Sequence, residues 1–296
     1  FDVLEKRLQT IIKGCAYATK TLPKDLYIVD SFDDIKLHNS YMVLNRSSTN
    51  LPIPDNSVDV IVTDPPYGSN VQYAELSTIW NAWYSDYANL SSVIYKDEEA
   101  VMNRKHNYEG SKDADDYEEL LFRVYKEGAR VLKEGHYLVF TFNNKNINVW
   151  IAMLRAVARA GFYLPDNGIL FQDYIDSYKN TSHLRFSGNI HGDFIYSFKK
   201  GSCAVDNDGC NSITDIIDWS IEQTINELFN TRTALNTPEL YQAVLTKLTR
   251  RLMSYILWCS QNSREIEYTK SLSNDYIDLK LKTLLLNEDG LWRLKC

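Results

Sequence analysis

Two stretches of the chain are apolar runs of the length of single β-strands. Residues 58–63 are rich in β-branched side chains, and residues 137–142 form a second clean apolar run. Continuous apolar runs of this kind are typical of strands buried in a parallel sheet. The first run ends abruptly at a proline-rich turn, which fixes the end of its strand. We therefore predict a buried strand at each position.

Apolar residues recur at helical spacing in the segments around these strands. The pattern predicts helices over residues 3–20, 75–87, 116–133 and 148–160. The residues at 40–46 are typical of a short strand, and 168–175 and 193–199 of an antiparallel pair joined by a polar loop. Strands that alternate with helices predict an α/β domain with a mostly parallel sheet and an antiparallel edge hairpin.

The pattern changes after Gly201. Residues 202–212 are polar and rich in Gly and Asp, which is typical of a boundary. Helical spacing then continues to Leu286, with a cap-like helix start at Thr237 and Pro238. These features predict three regions, which are a helical lead-in over 1–39, an α/β region over 40–200 and a helical region over 201–296.

Composition and charge narrow the function only weakly. The 296 residues are 44% hydrophobic and carry a net charge of −7. This charge argues weakly against binding of nucleic acid, because contacts with phosphate need Lys and Arg. A local basic strip would suffice, and Arg104–His106 and the pair Arg250 and Arg251 are candidates, although both could equally be solvated faces. We find no membrane span and no signal peptide, so we expect a cytoplasmic protein.

Cysteine and histidine are scattered along the chain. The five cysteines are widely spaced, and the five histidines form neither a metal-binding nor a triad pattern. A zinc site needs about four converging ligands. We therefore expect free thiols in a reducing compartment and no metal.

The chemically informative motif is D-P-P-Y at the end of the first predicted strand, where ligands bind in open α/β sheets. It consists of Asp64, Pro65, Pro66 and Tyr67. The exocyclic amine of adenine or cytosine is a poor nucleophile because its lone pair is delocalised into the ring, so its methylation needs acceptors for its two N–H bonds. The Asp64 carboxylate and the Pro65 carbonyl can supply them in a turn that two prolines keep rigid. Tyr67 offers a flat face on which an extruded base can stack.

Other interpretations of these positions remain open. Pro and Asp are common in ordinary turns, so the motif alone could be a plain strand-to-loop connection. Asn70, Gln72 and Tyr73 directly follow the motif and are candidates to line a base pocket. Packing at the start of the next helix would explain these three residues equally well.

The segment LPIPDNSVDVIVTDPPYGSNVQYAELSTIWNAWY resembles the amino methyltransferase superfamily, and within it the large adenine-specific DNA methylases. Members carry (D/N/S)PP(Y/F/W) as their catalytic motif, which Asp64–Tyr67 match. The resemblance covers roughly residues 40–200. It implies a Rossmann-like methyltransferase fold, S-adenosylmethionine (SAM) as methyl donor and a flipped base in DNA as acceptor. The aspartate in the first position favours adenine N6 over cytosine N4.

The resemblance also implies further site residues. Ser47 and Ser48 occupy the place where the family contacts the adenine of SAM, although the acidic residue often found there is absent. Asp64 would lie beside the cofactor as well as the base. Residues 137–142 match the strand that flanks the base pocket, which makes Phe142 a candidate for substrate binding.

One feature of the family is missing. Its members bind the methionine part of SAM with a Gly-rich turn, yet none of the 12 glycines has the spacing G-x-G. The chain also begins with Phe1 rather than Met. We therefore expect the turn to lie upstream of Phe1 or on a partner chain, a sheet that is incomplete at its N-terminus, and no complete SAM pocket in this chain alone.

Two alternatives come from different classes. D-P-P-Y-G also occurs in RNA methyltransferases that act on tRNA or rRNA, so RNA is an alternative substrate. The missing Gly-rich turn would also suit a non-catalytic subunit that binds nucleic acid or assembles with a methylase. The intact D-P-P-Y motif argues against that second alternative.

Overall fold

The structure is a computed structural model, which divides the chain into two compact units, Phe1–Ile53 and Pro54–Cys296. The division at Ile53 falls inside the region predicted over 40–200, and the regions 1–39, 40–200 and 201–296 stay predictions. The structure describes residues 2–22, 24–36, 39–84, 97–103, 110–144, 146–173, 192–205, 209, 212–266, 272 and 276–295.

The first unit holds one long helix and a small parallel sheet. Helix α1 spans Asp2–Thr21 and confirms the helix predicted over 3–20. Strands β1 (Tyr27–Ile28) and β2 (Ser40–Tyr41) pair in parallel. The strand predicted over 40–46 is confirmed only for β2, because the chain after Tyr41 leaves the ladder and enters a turn around Ser47.

The second unit is built on a mixed sheet. Its order is β3-β4-β7-β5, and β6 also pairs with β7. The strands are β3 (Val58–Thr63), β4 (Leu132–Phe142), β5 (Phe162–Tyr163), β6 (Ile169–Asp173) and β7 (Gly192–Lys200).

Strand directions correct one expectation. β3 and β4 are parallel, but β7 is antiparallel to β4, β5 and β6. A mostly parallel sheet is therefore wrong for the described strands, because β7 enters the sheet directly beside β4 in the opposite direction. The predicted antiparallel pair is confirmed as β6 and β7, although positions 174 and 175 lie outside the described residues.

Two helices pack on one face of this sheet. Helix α3 (Ala114–Val131) begins at a capping box formed with Asp113. Helix α4 (Ile147–Arg159) begins at the side-chain cap of Asn146. They contact each other and share the core with the buried face of β4. Helix α2 (Tyr73–Tyr84) follows β3, and the last three residues of its predicted span, 85–87, lie outside the described residues. The helices predicted over 116–133 and 148–160 are confirmed.

The opposite face of the sheet is open at β3. Side chains alternate along a strand, and Ile61 faces Gly128 of α3 whereas Val60 and Val62 point the other way. These two valines are 52% and 75% exposed. In the part of the chain that the structure describes, β3 pairs only with β4. The expectation of a parallel strand is confirmed, but that of a buried one is wrong because β3 is an edge strand.

The C-terminal region is mainly helical, as predicted. Helices α5 (Ile213–Phe229) and α6 (Thr237–Gln261) pack on each other, α6 contacts α4, and α7 spans Tyr276–Leu284. As predicted, α6 begins at Thr237 with Pro238 in its first turn. Among the described helices, none has the length and apolar character needed to cross a membrane.

A second, small antiparallel sheet was not expected from the sequence. It contains β8 (Leu235–Asn236), β9 (Leu285–Glu288) and β10 (Leu291–Leu294) in the order β8-β10-β9. These short strands add to the helices α5, α6 and α7 of the predicted helical region. Strands of two to four residues carry little periodicity, and β8 pairs with a strand far away along the chain. This sheet is separate from the sheet that carries β3.

Candidate active site

The D-P-P-Y motif leaves the large sheet at the carboxyl end of β3. Asp64 directly follows Thr63, the last residue of the strand. Thr63 lies opposite Phe140 of β4 in the parallel ladder. The next positions along the two strands are Asp64 and Thr141, so the motif and the end of β4 meet at one edge of the sheet.

Three side-chain oxygens lie within hydrogen-bond distance of one another at this edge. The Thr141 hydroxyl donates to Oδ1 of Asp64 at 2.6 Å. The Tyr67 hydroxyl lies 2.9 Å from the same Oδ1 and 2.8 Å from Oγ1 of Thr141. Burial, which outweighs the other influences, raises the pKa of Tyr67 well above its ordinary value, so the tyrosine remains a protonated donor.

Protein donors also bind three of the backbone carbonyls in the motif turn. These donors come from α3, from the loop after β4 and from the loop that precedes α3, so the turn is held from three sides. The bonds run from Tyr117 Oη to the Pro66 carbonyl (2.6 Å), from Asn144 Nδ2 to the Tyr67 carbonyl (3.0 Å) and from the Met102 amide to the Gly68 carbonyl (3.2 Å).

Two acceptors of the motif have no such donor. Among the described residues, nothing donates to Oδ2 of Asp64 or to the carbonyl of Pro65. Asp64 is exposed, whereas Pro65 is buried. A buried backbone carbonyl is rarely left unpaired in a folded protein. The turn therefore presents one carboxylate oxygen and one carbonyl oxygen that a ligand with two N–H bonds can use.

Gly68 ends the motif in a conformation that favours glycine. Its φ is +60°, in the left-handed region. A Cβ at this position would lie 2.7 Å from Cγ1 of Val149 and 3.2 Å from Nδ2 of Asn144. The space that this glycine leaves is therefore filled by Val149 in the first turn of α4 and by Asn144 in the loop between β4 and α4, so the motif turn lies close to α4.

The ring of Tyr67 rests on buried aromatic side chains. Its centroid lies 5.3 Å from that of Phe142, and Phe142 in turn makes an edge contact with Trp150 at 5.1 Å. Phe142 is completely buried. It was a candidate to bind substrate directly, and the structure instead places it beneath the Tyr67 ring.

Comparison with known proteins identifies the family. A family model for DNA methylases matches residues 58–270, which is more than half of the chain and includes the D-P-P-Y motif. The chain belongs to the N6/N4 DNA methylase family. Its members are SAM-dependent amino methyltransferases that act on DNA. The matched span crosses the boundary predicted at 200, so the family region extends into the C-terminal helices.

A solved structure gives a more distant likeness. A Thermus thermophilus protein, described as a candidate DNA modification methylase, is 13% identical over 62% of this chain and 56% of that chain, with a TM-score of 0.27. This chain therefore spans less than two thirds of that protein's length. No curated protein matches the sequence.

The residues after the methylase motif have different surroundings. Gln72 uses its amide to donate to the Met102 carbonyl and to accept from Asn103, both at the loop before α3. Asn70 donates its backbone amide to the Tyr67 carbonyl at 3.3 Å. Gln72 therefore fastens the loop, which is the packing role that the sequence left open.

Tyr73 is the one of these three candidates that is both exposed and close to the Asp64 carboxylate. It begins α2, and its side chain is 49% exposed. Burial of its inner part, followed by the negative charges of Asp64 and Glu99, raises the pKa of its hydroxyl. Tyr73 therefore remains a candidate for contact with the base.

The other predicted site residues are less informative. Ser47 and Ser48 lie in the first unit, where the Ser47 hydroxyl is 2.8 Å from that of Thr49. The basic strip Arg104–His106 lies outside the described residues. Arg250 and Arg251 both make contacts within the protein, with the Pro165 carbonyl and the Trp219 ring respectively.

Within the described residues, no His, Cys, Asp and Glu side chains group as a metal site would require.

Three residues of this site were not identified from the sequence, namely Thr141, Tyr117 and Asn144. Thr141 had a visible signal, as the residue with an aliphatic hydroxyl in the apolar run 137–142. Tyr117 sits in the apolar stripe of α3 and gave no signal, because burial of its ring and bonding of its hydroxyl cannot be separated in a sequence. Asn144 lies two residues after the end of β4, and polar residues near the end of a strand are candidates in any open sheet.

Proposed function

We propose that this chain is the base-binding half of a SAM-dependent DNA methyltransferase that methylates N6 of adenine. The observation that carries the proposal is the pair of available acceptors, Oδ2 of Asp64 and the Pro65 carbonyl, beside the Tyr67 ring. Membership of a DNA methylase family favours DNA over RNA. The preference for adenine rests on the aspartate at the first position of the motif.

The acceptors act on the two N–H bonds of the target amine. When one hydrogen bonds to Asp64 and the other to Pro65, the nitrogen can pyramidalise and direct its lone pair out of the ring plane. Because the surrounding turn is already bonded to the protein, these acceptors need no rearrangement as the charge on the nitrogen develops. The Tyr67 ring supports the extruded base by stacking.

SAM supplies an electrophilic methyl group to this site when it is bound. The residues of this chain fit only part of SAM. No glycines have the G-x-G spacing, and the space that Gly68 leaves is filled by Val149 and Asn144 rather than left for a ligand. In the second unit, Asp64 is the candidate to lie beside the methyl end, while no G-x-G turn is present in the sequence to cradle the methionine end.

We propose that a strand and Gly-rich turn from upstream residues or from a partner chain complete the site along β3. Support comes from the open edge of β3 and from the exposed Val60 and Val62 on its uncovered face. Parallel sheets are usually covered by helices on both faces, and unprotected edge strands readily pair with another strand. The open side of β3 is adjacent to Asp64, where SAM must meet the target base.

The experiment that tests this function identifies the methylated base. The enzyme form that contains the Gly-rich turn, which is this chain together with the upstream segment or partner chain that supplies it, is incubated with labelled SAM and either double-stranded DNA or tRNA. The nucleic acid is then digested and its nucleosides are separated. We expect label in N6-methyladenine from DNA. Label in N4-methylcytosine would contradict the choice of base, label in tRNA would contradict the choice of DNA, and no label in either would contradict the function.

A further inference from the structure

Thr141 and Tyr67 bring two hydroxyl protons to one oxygen of Asp64. The three oxygen–oxygen distances are 2.6, 2.8 and 2.9 Å, and the shortest joins Thr141 to the carboxylate. Each hydroxyl has a single proton, so the two protons can serve only two of the three contacts at once. The short distance assigns the Thr141 proton to Oδ1, since charge-assisted O–H···O⁻ bonds fall in the range of about 2.5–2.7 Å.

The Tyr67 proton has two possible acceptors, and both orient the carboxylate. If it goes to Oδ1, that oxygen accepts two bonds. If it goes to Oγ1 of Thr141, it polarises the hydroxyl that already donates to Asp64, and hydrogen bonds in such chains strengthen one another. Either arrangement engages Oδ1 alone and leaves Oδ2 without a donor among the described residues.

The fold holds Thr141 in place independently of the motif. It lies in β4, which is bonded on both sides, to β3 and to β7, and its partner across the second ladder is Ile195. The motif turn, by contrast, extends beyond the end of its strand. Thr141 is therefore a rigid reference point from which the rotation of the Asp64 side chain is set.

We propose that Thr141 is a positioning residue of the methyl-transfer site, which fixes the rotation of the Asp64 carboxylate so that Oδ2 faces the target amine. This inference rests on the proposed function, because it assumes that Asp64 accepts a hydrogen bond from the base. It concerns orientation alone, since the observed bond of the Thr141 hydroxyl goes to Oδ1 of Asp64.

Steady-state methylation with Thr141→Val and Thr141→Ser tests the inference, in the enzyme form that contains the Gly-rich turn. Valine matches threonine in shape and suits a strand, whereas serine keeps the hydroxyl. We expect Thr141→Val to lower kcat by about 10-fold to 100-fold, as for loss of a hydrogen bond to a charged group. KM for DNA and SAM should stay within about 2-fold, and Thr141→Ser should restore most of the rate.

The outcomes separate this inference from the proposed function. Full activity of Thr141→Val beside an inactive Asp64→Ala would overturn the positioning role alone, and full activity of Asp64→Ala would overturn both. Equal losses in the valine and serine variants, or a loss confined to KM, would also overturn the role of the hydroxyl.

Crystal structures of the wild-type chain and the Thr141→Val variant provide a readout without catalysis. We expect the Asp64 carboxylate to rotate about its Cβ–Cγ bond, or to become disordered, in the variant while the Tyr67 ring stays in place. An unchanged carboxylate in the variant would overturn the inference.

Discussion

At the scale of single residues, the two oxygens of Asp64 have different surroundings. Oδ1 receives hydroxyls from Thr141 and Tyr67, whereas Oδ2 has no donor among the described residues. A carboxylate that is free to rotate would offer both oxygens equally to a ligand. Under the proposed function, this difference leaves one acceptor oriented before a base arrives, and it depends on Thr141 of β4 and on Tyr67 of the turn after β3.

Tyr67 contributes a ring and a hydroxyl, which two substitutions can separate. Tyr67→Phe removes one hydroxyl from the Asp64 group but leaves Thr141, so we expect kcat to fall by up to about 10-fold, the equivalent of one neutral hydrogen bond. Tyr67→Ala also removes the stacking face, worth about 1–3 kcal/mol per base, and should be roughly 10-fold or more worse than Phe. Methylation rates of the two variants check this order, and equal rates would contradict the stacking role.

The sequence located Asp64 and Tyr67 but not their hydrogen-bond partners. The D-P-P-Y motif is local and can be seen in four consecutive residues. The contact with Thr141 depends on the register of β3 against β4, and helices α2 and α3 lie between these strands in the sequence. Gln72 shows the same limit. The sequence suggested it as a candidate for the base pocket, but its side-chain amide bonds the loop before α3, which is distant from it in the sequence.

At the scale of elements, helices α3 and α4 hold the motif turn in position. Tyr117 of α3 donates to the Pro66 carbonyl, and the first turn of α4 fills the space beside Gly68. Both contacts come from the helix layer on the buried face of the sheet. The two helices therefore fix the turn from the buried face of the sheet. Oδ2 of Asp64 and the Pro65 carbonyl remain without a donor among the described residues.

Helix α3 allows a matched test of the bond to the motif, since Tyr117 and Tyr125 are both buried and on the same helix. The Tyr125 hydroxyl has no hydrogen-bond partner within the described structure. Tyr117→Phe leaves the Pro66 carbonyl unpaired, so we expect a loss of about 1–3 kcal/mol in the free energy of unfolding. Tyr125→Phe should be neutral or stabilising. Chemical denaturation measures both, and equal losses would contradict a specific role for the Tyr117 bond.

Gly68 can be tested against a glycine with similar backbone strain but no close neighbour. Gly290 also has a positive φ, of +80°, and a Cβ there would meet nothing within 4 Å. Alanine at either position carries a strain of roughly 1–2 kcal/mol, but only Gly68→Ala also pushes against Val149. We expect Gly68→Ala to lower thermal stability more than Gly290→Ala and to abolish most methylation. Similar effects of both on stability and activity would show that contact with α4 is unimportant.

The sequence predicted the helices and long strands well and the sheet edges poorly. The repeating apolar positions of α3 and α4 span several turns and define both elements clearly. The exposure of Val60 and Val62 could not be predicted, because an edge strand and a buried strand have the same apolar run. The strands β8 and β10 were missed because their pairing joins residues such as Leu235 and Trp292 that are distant in sequence.

At the scale of the whole molecule, β3 lies at an edge of the large sheet, and among the described strands it pairs only with β4. The second unit buries one face of this sheet beneath helices, and β3 remains at an edge with two exposed valines. The same side lacks a Gly-rich turn for the methionine part of SAM. Under the proposal that a strand and Gly-rich turn complete the site along β3, one structural unit would cover the exposed strand and also supply the backbone for the methionine part of SAM.

Calorimetric titration of the 296-residue chain with SAM tests whether the cofactor site is incomplete. We expect weak binding or none, because side chains block the close backbone approach that the methionine part requires. Addition of the strand and Gly-rich turn, as upstream sequence or as a partner chain, should restore binding. Micromolar affinity of the chain alone, about −8 kcal/mol, would show that a loop without glycines replaces the turn.

The measurement that tests the central claim most directly is methyl transfer to DNA by Asp64→Ala in the complete enzyme. Asp59→Asn is the matched control, since Asp59 is an exposed aspartate of β3, the strand that precedes Asp64, and it pairs with Lys133 away from the motif. We predict that Asp64→Ala loses about 100-fold or more of its activity, as for one preorganised group, and keeps the melting temperature of the wild type, while Asp59→Asn stays close to wild-type activity. Near wild-type turnover by Asp64→Ala would contradict the assignment of this edge of the sheet as the methyl-transfer site.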